Sequence, residues 1–427
     1  MALYLKTARE LPEQDLRAVS DVVKEVLDRV RREGEAAVRF YSKKFDRWDP
    51  PSFKVSEAEV EQAVKSLSPL EKEDIDFCQA QIRHFAEKQR EAITGFEVET
   101  LPGIHLGQKI IPVAASGAYI PGGRYPMLAS AHMTVITPKV AGVGRVVACT
   151  PPTGGQGVHP ATLYAIQAAG ADEIYCLGGV QALAALAYGM EGLEPVDMIV
   201  GAGNVYVAEA KRQLFGRVGI DLLAGPTEIL VLIDETADPF IVAADILGQA
   251  EHDPHARQAL VSLSRKAAEQ VMAEIDAQLP TLPTREIAAV AWRDNGEVIV
   301  VDSPEEALTV CDAWAPEHLE VQTADWRYYL DNLTNYGSLF LGEETTVAYG
   351  DKAIGTNHVL PTMGAARYTG GLYVGKFLKV VTYQYATRQA SAKLGAVCER
   401  AANYENMPAH GITCKVRVDK YGKDRRS

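Results

Sequence analysis

Four short stretches, far apart in the chain, carry side chains able to hold a metal ion or to move a proton. They are Gln249-Ala-Glu-His252, Pro316-Glu317-His318, Gly350-Asp351 running on to Gly355-Thr-Asn-His358, and Ala409-His410. The chain has only nine histidines, and four of them fall in these stretches. Gln249 and His252 are three apart, so a helix puts both on one face, where they can grip one ion. His252, Asp351 and His410 supply two imidazoles and a carboxylate, a mixture suited to a borderline ion such as zinc rather than calcium or magnesium. Glu317 beside His318 adds two groups that exchange protons near neutral pH. A blander reading makes Pro316-Glu317-His318 a helix start, with proline in the first turn and an acid favoured by the dipole. The polar, aperiodic stretch 350–358 weighs against it, and the chemistry expected is metal-assisted proton transfer.

The elements that must position these groups read as two α/β halves. Apolar residues from Leu16 to Val30 follow helical spacing over about 14–32, with Gly34 as a stop. One long helix is expected over 56–90, capped by Ser56. Short apolar runs then alternate with Gly and Pro. Runs at 110–113, 133–136, 145–149 and 173–177 read as strands, and 160–169, 181–188 and 205–214 as helices. That rhythm predicts a parallel α/β unit over about 101–224. It returns after Pro226 with a buried strand at 229–233, a helix over 238–251 carrying Gln249 near its end, and strands at 258–263 and 298–301. From about 380 the chain reads as helical, ending in an extended run at 414–418.

In open α/β sheets ligands bind beyond strand ends, and three glycine-rich segments follow or border predicted strands. They are Tyr119-Ile-Pro-Gly-Gly123, Gly178-Gly-Val-Gln181 and Gly201-Ala-Gly-Asn204. Each alone reads as a plain turn; together they tilt toward a dinucleotide crevice. Gly142-Val-Gly144 lacks the third glycine of a nucleotide fingerprint. His132, near Arg124 and Tyr125, reads either as part of a helix-start polar face or as a cationic rim for an anionic substrate group. Arg367, Lys376 and Lys379 are weaker candidates of the same kind.

A length of 427 residues allows two or three structural units and a full core, with 47% apolar and 23% charged residues. The net charge of −13 argues against nucleic acid as the main partner. Lys420, Lys423, Arg425 and Arg426 read as a solvated tail. No signal-peptide pattern and no membrane-length apolar run is present, and the six cysteines form no CxxC pair, so a cytoplasmic protein with reduced thiols is expected.

The segments quoted above, with Ala224-Gly-Pro-Thr-Glu228, Ala315-Pro-Glu-His-Leu319 and Gly355-Thr-Asn-His-Val-Leu-Pro361, make the chain resemble the histidinol dehydrogenase family almost end to end. The resemblance implies two Rossmann-like parallel α/β domains plus small N- and C-terminal helical segments exchanged in a homodimer. It implies an N-terminal arm at 1–20, a metal and acid/base domain from 21–100 and 225–379, an NAD-binding domain at 101–224, and a segment at 380–427 reaching the partner. Gln249, His252, Asp351 and His410 would be zinc ligands and Glu317 and His318 the acid/base pair. Tyr119, Gln181 and Asn204 would touch NAD, and Thr227, His358 and Glu405 would line the substrate pocket, with Glu405 and His410 serving the neighbouring subunit. Such enzymes use zinc and two NAD+ in turn to oxidise a primary alcohol through an aldehyde to a carboxylate.

The chain departs from the family's usual pattern around the pocket. Ala129 stands where a serine is usual, Thr227 replaces another serine, and Arg124 and His132 lie where small or apolar residues are common. Tyr368-Thr-Gly-Gly-Leu-Tyr-Val-Gly-Lys376 replaces the usual run after Arg367, and Asn406-Met407 follows Glu405. Added positive charge resembles the branch that oxidises 2,3-dihydroxypropane-1-sulfonate to 3-sulfolactate, because a buried sulfonate requires cationic or hydrogen-bonding partners. Retained Glu405 points instead to a cationic substrate, L-histidinol, unless it supports the ligand shell. A metal-stabilised binding protein without activity is the remaining alternative.

Overall fold

The computed structural model describes residues 2–9, 17–122 and 126–422. In chain order the strands are β1 (Leu3–Lys6), β2 (Phe96–Leu101), β3 (Ile104–Pro112), β4 (Ala115–Tyr119), β5 (Arg145–Thr150), β6 (Glu173–Cys176) and β7 (Met198–Val200). They continue as β8 (Gly219–Ile220), β9 (Glu228–Ile233), β10 (Arg257–Ser262), β11 (Gly296–Val300), β12 (His318–Gln322), β13 (Ser338–Leu341) and β14 (Leu378–Ala386).

Contacts group the chain into two units, one of residues 1–89 and 113–377, the other of 90–112 and 378–427. The first holds two parallel sheets. One runs β6-β5-β4-β7-β8, all parallel. The other runs β1-β11-β10-β9-β12-β13, parallel except for β1, an antiparallel edge. Central strands such as Glu228–Ile233 are buried along their whole length, as covered parallel strands must be. The mixed α/β architecture with parallel sheets is the class expected.

In the second unit β14, β3 and β2 form an antiparallel sheet, followed by the helices Arg388–Tyr404 and Pro408–Tyr421. Its buried apolar residues are few: Ile104, Leu378, Ala390 and Ala402. Every residue of β2 is exposed, Phe96, Val98 and Leu101 included.

Four local expectations are corrected. Residues 133–136 are not a strand but part of the helix Leu128–Ala141; it is buried nearly all round, so its sequence has no helical period to read. The helix expected over 56–90 is two, Glu57–Ser66 and Pro69–Glu91, because Ser68 starts a second capping box with Glu71. The chain after 377 opens as β14, rich in Val, Thr and Tyr, before turning helical. Residues 414–418 alternate like a strand but lie in the last helix, whose neighbour Arg388–Tyr404 packs along it.

Among the described residues no helix is long and apolar enough to cross a membrane. Of the expected basic tail, Lys423, Arg425 and Arg426 lie outside the described residues, as does Arg124.

Candidate active site

β9 and β12 are neighbours in register, His318 facing Ile229, so the residues just before each strand meet. Thr227 Oγ1 donates to Glu317 Oε2 at 2.7 Å, and the Glu228 amide donates to the same oxygen at 2.9 Å. Pro316-Glu317-His318 is therefore a strand entry, not a helix start. Ala315, at φ 51°, turns the chain out of the helix Pro304–Trp314; the left-handed region is costly for a residue with a Cβ.

The helix Pro239–Ala250 runs back from the far end of β9 and delivers buried Gln249, with His252 just past its end. Gln249 Oε1 lies 3.4 Å from Thr227 Oγ1. The short helix Val347–Lys352 brings in Asp351. Asp351 Oδ1 stands 3.9 Å from both His318 Nε2 and His358 Nδ1. The turn before His358 requires Gly355 (φ 115°), where a Cβ would press on the Gln81 carbonyl. His358 Nε2 also lies 3.2 Å from Ser130 Oγ on the helix Leu128–Ala141, joining the two α/β halves at this side chain.

His318 Nδ1 is 2.8 Å from the Glu228 carbonyl oxygen. A carbonyl only accepts, so Nδ1 carries the proton and Nε2 keeps its lone pair. Nε2 is buried and has no hydrogen-bond partner among the described residues, and burial holds the imidazole pKa below its ordinary value despite Asp351 nearby. A neutral ring with one bare nitrogen facing the site is the form a general base requires. Burial pushes Glu317 well above the usual carboxylate range, against the two hydrogen bonds that favour its charged form. His358 is pulled down to about 4, first by burial. His252 is exposed, yet protein mass around it still lowers its pKa, as in the mouth of a cleft.

At the other sheet, β4 and β7 are adjacent, and the connections that follow them lead to opposite sides. That is a topological switch point, where an open α/β sheet binds ligands beyond the carboxyl ends. Tyr119 ends β4, and Gly201 follows β7 so closely that a Cβ there would collide with the Tyr119 carbonyl. The Gly179 amide donates to the Tyr119 hydroxyl at 3.2 Å, and burial raises that phenol to about 12. Gln181 is buried; its Nε2 donates to Asp46 at 2.8 Å and its Oε1 has no partner among the described residues. Asn204 caps the helix Val205–Leu214, accepting from the amides of Tyr206 and Val207.

His132, read from the sequence either as part of a polar helix face or as a cationic rim, lies inside the protein. It is 3% exposed, its Nδ1 accepts from Gln79 Nε2 at 3.0 Å, and burial brings its pKa to about 4, with His358 lowering it further. Gln79 Nε2 also donates to the Ala165 carbonyl, so it must be the donor in both contacts. Of the weaker candidates, Arg367 donates to the carbonyls of Gly364 and Ala313, and Lys376 to Thr369 Oγ1. Glu405 and His410 belong to the second unit, where both are exposed.

Several site groups escaped sequence reading. The Glu228 carbonyl sets the His318 tautomer, and main-chain oxygens leave no residue-type signal. Ser130 and Asp46 become neighbours of the site only through long-range packing. Among the described residues no three His, Cys, Asp or Glu side chains gather closely enough to hold a metal alone. The donor types nevertheless fit zinc: Gln249 offers an amide oxygen beside Thr227, and the His252 imidazole lies within electrostatic reach of the Asp351 carboxylate, so a four-coordinate ion held by these three would need one donor more.

A sequence profile described as histidinol dehydrogenase matches residues 9–418. A "Histidinol dehydrogenase homolog" of Shouchella clausii (strain KSM-K16) is 55% identical over 99% of this chain and 100% of its own. A "Sulfopropanediol 3-dehydrogenase" of Ruegeria pomeroyi is 47% identical over 99% of this chain and 97% of its own. The crystal structure of histidinol dehydrogenase from Elizabethkingia anophelis superposes with a TM-score of 0.92 at 33% identity, covering 97% of this chain and 95% of that one. Matched along nearly its full length in both sequence and fold, the chain belongs to the histidinol dehydrogenase family of alcohol-to-acid oxidoreductases, which in general depend on NAD and bind zinc.

Proposed function

We propose that the chain oxidises 2,3-dihydroxypropane-1-sulfonate to 3-sulfolactate through the aldehyde, using two NAD+ in turn. Glu317 and His318 are the acid/base pair, and the ligands are Gln249, His252, Asp351 and a His410 given by a second copy. The observation that carries the chemistry is the bare, buried Nε2 of His318. When bound, zinc would hold and polarise a substrate oxygen and NAD+ would accept hydride. His318 Nε2 takes the hydroxyl proton in the first oxidation. Glu317, once ionised, takes a proton from the water that attacks the aldehyde, and His318 assists again. Thr227 holds the Glu317 carboxyl in place, and His358 lines the substrate pocket.

The NAD-binding role falls to residues 101–224, at the switch point beside Tyr119, Gln181 and Asn204. The metal and acid/base role falls to the sheet within 225–379. The second unit suits the dimer reading: an antiparallel sheet with so little core and so much exposed Phe, Val and Leu needs a cover. A second copy of this chain, receiving Glu405 and His410 in its site, is the occupant proposed. Six free cysteines suit the cytoplasm.

The sulfonate reading draws on the name of the Ruegeria relative and on the pocket departures. Of those departures His132 carries no charge at neutral pH, which leaves the anion to other cations. Glu405 favours the second reading, L-histidinol to L-histidine. The zinc-loaded protein assayed with both substrates separates them. Two NADH per dihydroxypropanesulfonate and none from histidinol supports the proposal. Histidinol turnover alone replaces it with the second reading, and NADH from neither leaves an idle binding protein. Sedimentation at assay concentrations tests the dimer; a monomer with full activity removes the shared site.

A further inference from the structure

Lys211 is buried where packing alone would take an apolar residue. The inward stripe of the helix Val205–Leu214 is Val207, Ala210 and Leu214, and Lys211 lies in it. Its side chain is 2% exposed, and that of its partner Asp221, which follows β8, is 0% exposed. Lysine and aspartate are almost never buried unless paired. Apolar residues in place of a buried ion pair are often no less stable, so stability alone does not account for the two charges. Their hydrogen bonds do. Asp221 Oδ2 accepts from the Gly201 amide at 2.7 Å, and Lys211 Nζ donates to the Gly201 carbonyl oxygen at 3.0 Å. Asp221 Oδ1 accepts from Lys211 Nζ and, at 2.7 Å, from the Leu222 amide. Both polar groups of one buried glycine are thus held by one ion pair whose members come from other segments.

Gly201 is the turn out of β7, at φ 114°, with no room for a Cβ against the Tyr119 carbonyl. Fixing its two peptide planes fixes the start of Gly201-Ala-Gly-Asn204, whose last residue caps the helix that carries Lys211. A loop with glycines at 201 and 203 is otherwise free to take many conformations, and a ligand that had to order it would bind more weakly. We infer that Lys211 and Asp221 are a positioning pair that pre-sets the loop 201–204 for the cofactor, on the reading of this switch point as the NAD site. The acid/base groups should feel little of it. Asp221 does begin the segment that leads to Thr227, but the Gly225 amide in that segment is separately tied to Thr362 Oγ1 at 2.6 Å. The bland alternative is an ion pair that only holds the fold together, which would affect stability and leave cofactor affinity unchanged.

The test compares wild type, Lys211→Met and the double variant Lys211→Met with Asp221→Asn, which leaves no lone carboxylate buried. NADH affinity is read by fluorescence titration, beside the KM for NAD+, kcat at saturating NAD+ and zinc content. In the folded variants the Kd for NADH and the KM for NAD+ should rise about tenfold or more, while kcat changes less than about threefold and zinc content holds. Hydrogen exchange in wild type, resolved to the Gly201 amide, needs no variant: exchange should already be slow before NADH is added and change little afterwards. Variants that bind NADH as wild type does and lose only urea stability overturn the positioning role. So does a Gly201 amide that is protected only with NADH, and so do equal losses of NADH affinity, kcat and zinc. A wild type that binds no NADH overturns the cofactor reading of this site, and the inference with it.

Discussion

The ring of His318 is tethered to the main chain of Glu228 on the neighbouring strand: Nδ1 donates to the Glu228 carbonyl oxygen at 2.8 Å. Strand pairing thus fixes which nitrogen is protonated, and Nε2 is left with its lone pair for the proposed role as base. Replacing His318 by Asn keeps a donor near the carbonyl but removes the base. Alcohol oxidation should fall by about 10²- to 10⁴-fold, the usual size of a general-base contribution. Pre-steady-state NADH formation is the measurement. A loss under threefold would mean that another group takes the proton.

Glu317 is the second half of the proposed acid/base pair, and its environment pulls both ways. Burial raises its pKa well above the carboxylate range, while Thr227 and the Glu228 amide stabilise the charged form. A group that is protonated at low pH and must be ionised to act makes the rate rise with pH. Aldehyde oxidation should therefore climb as pH passes through the raised pKa, and the alcohol step should climb less. Glu317→Gln should depress the aldehyde step preferentially and flatten its pH profile. Equal loss in both steps would refute this division of labour.

A buried carboxyl pair behind the site ties its supporting elements together. Glu320 on β12 accepts from the Val347 amide at 2.9 Å, where the helix bearing Asp351 begins. Gln322 Nε2 donates to Glu320 and to Asp245, and Thr346 Oγ1 donates to Asp245 on the helix that carries Gln249. Burial raises both acids; Asp245 raises Glu320 further, whereas the hydrogen bond from Glu320 lowers Asp245, the pattern of a pair that shares a proton on the Glu320 side. Glu320→Ala strands the Val347 amide and should cost about 2–4 kcal/mol in urea unfolding. It should also lower zinc content by metal analysis, because Asp351 loses its anchor. Glu320→Gln, able to accept the same bond, should retain most of both; full stability in the alanine variant would discount the network.

How legible this was follows from the kind of signal each part carries. Motifs with chemistry-bearing residues at short spacing, Gln249 with His252 and Glu317 with His318, stand out because few residue types do this chemistry. The helix Glu57–Ser66 announces itself by its cap, and β9 by its run of aliphatic residues. The helix Leu128–Ala141 does not, because a helix buried on all sides has no amphipathic period. Nor can residue spacing tell that Glu317 and Thr227 sit at the amino ends of β12 and β9, opposite to the usual binding edge of an open sheet. That arrangement depends on strand order and on the return of the helices, which are long-range properties. The burial of His132 is of the same kind, produced where its helix packs against Gln79 on another helix.

His132 gives a pH signature for that packing. Folding lowers its pKa from 6.5 to about 4, chiefly through burial. Above the unfolded value the ring is neutral in both states and the pH does not matter. As pH falls below about 6.5 the unfolded chain takes up a proton that the folded chain refuses, so stability is lost progressively until the folded pKa is reached. The full shift is worth about 3 kcal/mol. His132→Gln should remove this contribution, so that its urea stability declines less than that of wild type between pH 7 and pH 4.5. The difference should grow through that window rather than appear at pH 7. Parallel pH profiles for the two proteins would show that His132 takes up its proton as readily folded as unfolded, and would favour the cationic rim over the polar helix face.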